Sequence, residues 1–262
     1  ERGPGHYLEA WMSGALIKRL HPLHLWFLEY LLLLYALGAV VAWASRSLPG
    51  GVMSRIHAAY RWMLERPYAP VLFAVFSWLP LAAMHGNLKD CDGFVPELPI
   101  LAAYIPPFTF GWLLYHERDL LPRFQRHIWP YLALAAPAFL MYGKVSGAAH
   151  PYLRAAGNVV FCWFLIFSVT GLFLKLCSQA SPGWRYMSDS SYWIFIMHMP
   201  VVVGLQVALM PLPLPAPAKI PLVLAIAVVL LVISYDLVVR PTWIGALLNG
   251  RRYPRGLPAA AA

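Results

Sequence analysis

Long apolar runs organise this sequence, and about 20 apolar residues is the length a helix needs to cross a hydrocarbon core of roughly 30 Å. Seven such runs stand along the chain: Leu23–Ser45, Tyr68–Gly86, Leu98–Tyr115, Ile128–Tyr142, Ala155–Leu176, Ser191–Met210 and Ile220–Val239. The third carries Pro106 and Pro107, which predicts a kink, and the short fourth carries Pro130 and Pro137. Proline is tolerated in such helices only where neighbours satisfy the backbone groups it frees. Only 12% of the residues are charged, against roughly 25% in soluble domains, too few for a water-facing surface. The formal charge of +9 comes from basic residues that flank apolar runs and form no long basic stretch, so nucleic acid is not an expected partner. The expected fold is all-α, a polytopic integral membrane helix bundle forming one domain over residues 1–262, with the lipid bilayer as its first partner.

Charge asymmetry orients the bundle. Between the first two runs stand Arg46, Arg55, Arg61 and Arg66 against Glu65, while the next connection sets Lys89 against Asp90, Asp92 and Glu97. After the last run come Arg240, Arg251, Arg252 and Arg255 with no acid. Positive-inside counting places the connection 46–67 and the tail 240–262 in the cytoplasm, and residues 1–22 and the acidic loop outside. Lys144 and Arg154 run against that assignment. The connection 46–67 is either a plain loop or a short interfacial helix with Ile56, Tyr60 and Met63 on one face. Met210–Pro221 is proline-rich and reads as a stiff connector. Residues 1–22 lack the order of a signal peptide. Cys91, Cys162 and Cys177 form no CxxC pair, so no disulfide framework or metal site is expected. Cys91 is assigned to the outer face and Cys177 to the inner.

Ionisable groups within apolar runs are the candidates for chemistry. Glu29 lies six residues beyond Leu23, about 9 Å along the helix. It either bonds a neighbouring helix or lines an acceptor or proton path, and Trp26 shares its face. His24 lies on a different face, so His24 and Glu29 do not form a same-helix dyad. His198 falls deep in the sixth run, either as a satisfied structural histidine or as a proton shuttle. Ser191 shares its face but sits two turns away, roughly 10 Å, too far for a nucleophile–base pair. Asp236 and Arg240 have the spacing of a local ion pair. No P-loop, HExxH, GxSxG or dinucleotide-binding pattern occurs.

Three stretches carry a family resemblance: His24-Leu25-Trp26-Phe27-Leu28, Arg185-Tyr186-Met187-Ser188-Asp189-Ser190-Ser191-Tyr192-Trp193 running to His198-Met199-Pro200, and Thr242-Trp243-Ile244-Gly245 with Leu248-Asn249-Gly250-Arg251-Arg252. In this order they resemble the membrane acyltransferase 3 family, and within it the glucans biosynthesis protein C (glucan succinyltransferase) branch. The resemblance implies a bacterial inner-membrane protein of about ten helices. Three of them would then precede this chain, which agrees with an outer position for Glu1. It implies transfer of an acyl group, succinyl in this branch, from a cytoplasmic acyl-CoA to a periplasmic glucan or related glycan, with no tightly bound cofactor.

The family's catalytic histidine and its CoA-associated arginines belong to the upstream helices and have no counterpart here. His24, Trp26, Glu29, Ser191, Tyr192 and His198 match family motif positions. The catalytic candidates are therefore His24, Glu29 and His198, with Trp26, Ser191 and Tyr192 along the substrate path. Arg185, Arg251 and Arg252 either attract CoA phosphates or serve as topology determinants. A proton-coupled transporter or flippase using Glu29 and His198 is the alternative from another class, and a non-catalytic membrane scaffold is a third. The transporter reading expects two related halves with interrupted helices, and no internal repeat is found.

Overall fold

The computed structural model describes residues 25–47, 49–87, 95–145, 150–179 and 181–250. His24, Cys91, Arg251 and Arg252 lie outside the described residues, as do all of the segments 1–22 and 251–262. The chain divides into two compact units, Glu1–Ser178 and Gln179–Ala262. The described residues of both units are helical, with no strand among them.

The first unit holds α1 (Trp26–Ser45), α2 (Gly50–Leu64), α3 (Ala69–Ala83), α4 (Leu98–His116), a 3₁₀ segment (Arg118–Arg126), α5 (Ile128–Lys144) and α6 (Pro151–Leu176). The second holds α7 (Pro182–Ala208), α8 (Ala216–Ser234), a π-helical turn (Tyr235–Val239) and α9 (Trp243–Asn249). Proline marks where many of these helices begin. Helices α3, α4, α6, α7 and α8 each carry proline in the first two positions, where its missing N–H has no intrahelical acceptor to lose. Pro130 likewise falls in the first turn of α5, leaving Pro137 as that helix's interior proline.

All seven apolar runs form helices, but they differ in reach. Five helices are long and apolar enough to cross a membrane: Trp26–Ser45, Leu98–His116, Pro151–Leu176, Pro182–Ala208 and Ala216–Val239. The second run forms a helix of 15 residues and the fourth one of 17. At 1.5 Å per residue these cover about 22 and 25 Å, short of a full hydrocarbon core. Helix α3 stops because its last turn goes left-handed, with His85 at φ 56° and Gly86 at φ 77°. The Gly86 N–H then donates back to Leu81 O at 2.9 Å.

Aromatic packing forms the core of the first unit. Phe73 stacks on Trp163 at 5.1 Å, Phe110 meets Trp163 edge-on at 4.9 Å, and Phe124 stacks on Phe167 at 4.8 Å. The buried indole N–H of Trp163 donates to Ser77 Oγ at 2.9 Å. Glycine permits the closest approaches: Gly157 on α6 faces Tyr142 N and Ala138 O of α5, as small residues do between membrane helices. Outside this core, residues such as Leu32, Val40, Leu79 and Leu140 are exposed, the pattern of a bundle solvated by lipid.

Two polar clasps close the ends of this unit. At one end, Arg154 Nε and Nη2 donate to Asn87 Oδ1 at 3.2 and 2.9 Å, and Nη1 donates to Val145 O at 2.8 Å. Its guanidinium also lies 4.5 Å over the Tyr142 ring. The arginine that ran against the charge count thus ties α6 to the turn after α3 and to the end of α5. At the other end, α2 is a helix rather than a plain loop. Tyr60 and Leu64 are buried, Tyr60 Oη donates to Phe110 O at 2.8 Å, and Met63 packs on the core. Ile56, Tyr60 and Met63 line an apolar cavity of about 560 Å³ together with Phe73, Pro106 and Phe110.

In the second unit, Trp193 Nε1 donates to Ser234 Oγ at 3.0 Å, joining α7 to α8. Asp236 and Arg240 form the expected ion pair at 3.2 Å, on the π-helical turn. Arg240 also lies 5.1 Å over the Tyr186 ring.

Candidate functional site

Helix α1 opens with Trp26, Phe27 and Glu29 in its first turn. Trp26 meets Tyr30 at 5.8 Å and Tyr104 of α4 at 6.2 Å, and Phe27 meets Tyr104 at 6.2 Å. Tyr30 is fully buried and accepts the Glu97 N–H at 2.7 Å, which fixes the start of α4 against α1. One turn on from Trp26, Glu29 Oε2 is buried and makes no hydrogen bond among the described residues. A buried carboxylate oxygen without a donor is costly. Its place in the first turn of a helix, where the dipole favours negative charge, offsets only part of that cost.

In the second unit, His198 is half-buried and its Nδ1 donates to Phe195 O at 2.7 Å. A carbonyl only accepts, so Nδ1 carries the hydrogen and Nε2 is the basic nitrogen of the neutral ring. Ser191 Oγ donates to Ser188 O at 2.7 Å, and Ser191, Tyr192 and Arg185 are exposed. Glu29 and Trp26 belong to the first unit, and His198, Ser191, Tyr192 and Arg185 to the second.

A further polar cluster forms where α2 meets the end of α4. His57 Nδ1 bonds Glu117 Oε1 at 2.8 Å. Arg61 pairs with Glu117 and reaches Asp119 with bonds of 3.1 and 2.9 Å. Arg61 above all, and His57 after it, hold the Glu117 carboxyl below its usual range. The carboxylate only accepts here, so His57 Nδ1 carries the hydrogen of this bond. Sequence reasoning did not single out these residues. The available signal was a pair of acids, Glu117 and Asp119, on the side that charge counting makes basic. No group of three His, Cys, Asp or Glu side chains fit to hold a metal occurs among the described residues.

Comparison with known families places this geometry. A family model described as an acyltransferase domain matches residues 5–239. The chain belongs to the acyltransferase 3 family. It is therefore a membrane acyltransferase, with the multi-pass helical architecture just described. No curated protein and no solved structure matches it significantly. The acyltransferase 3 match takes in the α1 aromatic group, the His57–Glu117 cluster and the whole of α7, and it stops at Val239. Arg251 and Arg252, with α9, lie beyond its end.

Proposed function

We propose that this acyltransferase moves an acyl group, succinyl as the glucan-synthesis resemblance implies, from a cytoplasmic acyl-CoA to an extracytoplasmic glucan or related glycan in the bacterial inner membrane. The observation that carries the reading is Glu29 Oε2, buried and unpartnered among the described residues, one helical turn on from Trp26, whose ring packs against Tyr104. Aromatic faces with a carboxylate acceptor suit a sugar, whose C–H face packs on rings while its hydroxyls need acceptors. A carboxylate that accepts an acceptor hydroxyl also supplies general-base help, worth about 10²–10⁴-fold. Glu29→Gln keeps the shape and removes the base. In the full-length enzyme reconstituted in vesicles, this variant inserts normally and loses at least about tenfold in succinyl transfer to glucan, and Trp26→Ala also lowers transfer. Wild-type transfer in Glu29→Gln at equal inserted protein overturns the reading.

The proposed direction of transfer requires a definite orientation. With the outer membrane permeabilised, a membrane-impermeant thiol reagent labels the single-cysteine variant retaining Cys91 and spares the one retaining Cys177. The reverse pattern overturns the orientation.

A further inference from the structure

Where the 3₁₀ segment turns into α5, a cavity of about 40 Å³ is lined by Glu65, Arg66, Arg123, Arg126, His127 and Tyr131, among others. One water needs roughly 10–15 Å³ of such space, so the cavity has room for the oxygens of one phosphate group. Its lining carries three arginines against one carboxylate. Glu65 is already engaged by Arg123 at 3.1 Å. The nearby acids Glu117 and Asp119 are held by Arg61. Arg66 and Arg126 therefore have no carboxylate partner among the described residues, and Arg66 instead lies 4.8 Å over the Trp62 ring.

A second feature points to the same ligand charge. Helix α5 begins at this cavity with His127 as its N-cap, no side-chain capping bond and no acid in its first turn. An uncapped helix start presents N–H groups and the positive end of the helix dipole. The aromatic side of the cavity is held by the core. Tyr131 Oη donates to Pro67 O at 2.8 Å, and Phe124 and Phe167, at the floor, are stacked core residues. Arginine forks at the mouth of such a cavity match phosphate oxygens in bidentate geometry.

We propose that this cavity binds the phosphate group of a phosphate ester, with Arg66 and Arg126 as the principal ligands and the start of α5 as the backbone anchor. The ester is either the headgroup of a lipid or a soluble molecule. The proposal stands on this geometry, independently of the donor and acceptor proposed above.

The test uses the full-length protein in phosphatidylcholine nanodiscs at low salt, titrated with inorganic pyrophosphate by calorimetry. Saturable binding of one pyrophosphate per chain is expected, weakened about tenfold or more in Arg66→Gln and in Arg126→Gln. Neither arginine makes an ion pair with a described residue, so Arg126→Gln retains the wild-type melting temperature, and Arg66→Gln loses only its stacking on Trp62 and melts slightly below it. Arg55→Gln, on the exposed side of α2, leaves the affinity unchanged. Repeating the titration with phosphatidic acid in the nanodiscs separates the two sources. A headgroup ligand competes with pyrophosphate in the wild type, whereas a soluble one leaves the pyrophosphate affinity as it was; both results support the site. Absence of saturable binding, or an equal loss in Arg55→Gln, overturns it. Neither reading depends on acyl transfer, so an inactive transferase that binds pyrophosphate separates this site from the proposed function.

Discussion

Replacing Gly171 by alanine dislodges the 3₁₀ segment from α6 and lowers the stability of the solubilised protein by about 3 kcal/mol, the upper end of ordinary overpacking. A Cβ at Gly171 would overlap the carbonyl oxygen of Phe124, and would stand 2.8 Å from its carbonyl carbon and 2.9 Å from Ile128 Cγ1. Two of these atoms are backbone, so no rotamer change relieves the clash. Nor is the segment free to retreat. Arg61 holds Asp119 near its start and Glu65 holds Arg123 near its middle, while Phe124 is stacked on Phe167. Thermal denaturation in detergent measures the loss, and pyrophosphate binding falls with it because Arg123 and Arg126 ride on the displaced segment. Gly111→Ala and Gly204→Ala are the controls, since a Cβ at either position meets nothing within 4 Å. Both sit inside helices and are expected to melt at or slightly above the wild type. A Gly171→Ala protein that melts with them contradicts the seating of the segment on α6.

Gly171 also shows which part of the fold the sequence displays and which it hides. Apolar length and first-turn prolines are local properties, so the helices and many of their starting points can be read without a structure. The close contact of Gly171 with Phe124 joins residues far apart in sequence, and nothing near Gly171 announces it. The same holds for charge. Counting treats every arginine as a free cation at a membrane surface, whereas Arg154 is spent on Asn87, Val145 O and the Tyr142 ring. Arg61, counted as a topology signal, bridges two acids that follow α4. The sequence leaves loop and interfacial helix open for the connection 46–67, because the partners of its polar face, Glu117 and Asp119, lie more than fifty residues away. Trp26 and Glu29 were accessible to sequence reasoning because an i,i+3 pair shares a helix face whatever the tertiary contacts. Tyr104, which packs on Trp26, was not.

His198 carries the second large effect. Its Nδ1 hydrogen is committed to Phe195 O at 2.7 Å, and Pro200, two residues on, withholds an N–H from the helix ladder within α7. The imidazole thus sits at a polar interruption of an apolar helix, with Nε2 as the atom able to take a proton. Glutamine reproduces one donor and one acceptor at similar reach, but it does not gain a proton near pH 7. If His198 moves a proton during transfer, His198→Gln folds, inserts and retains acyl-CoA affinity. It then loses more than about tenfold in succinyl transfer, a barrier increase of roughly 1.4 kcal/mol. The measurement is transfer to glucan by the full-length enzyme in vesicles, normalised to inserted protein. The alanine variant separates the two roles, because it removes the bond to Phe195 O as well as the proton site. Full activity in the glutamine variant, with loss only in alanine, assigns His198 to holding the helix around Pro200. Equal loss in both assigns it to proton movement, because restoring the hydrogen bonds without the titrating nitrogen then restores nothing.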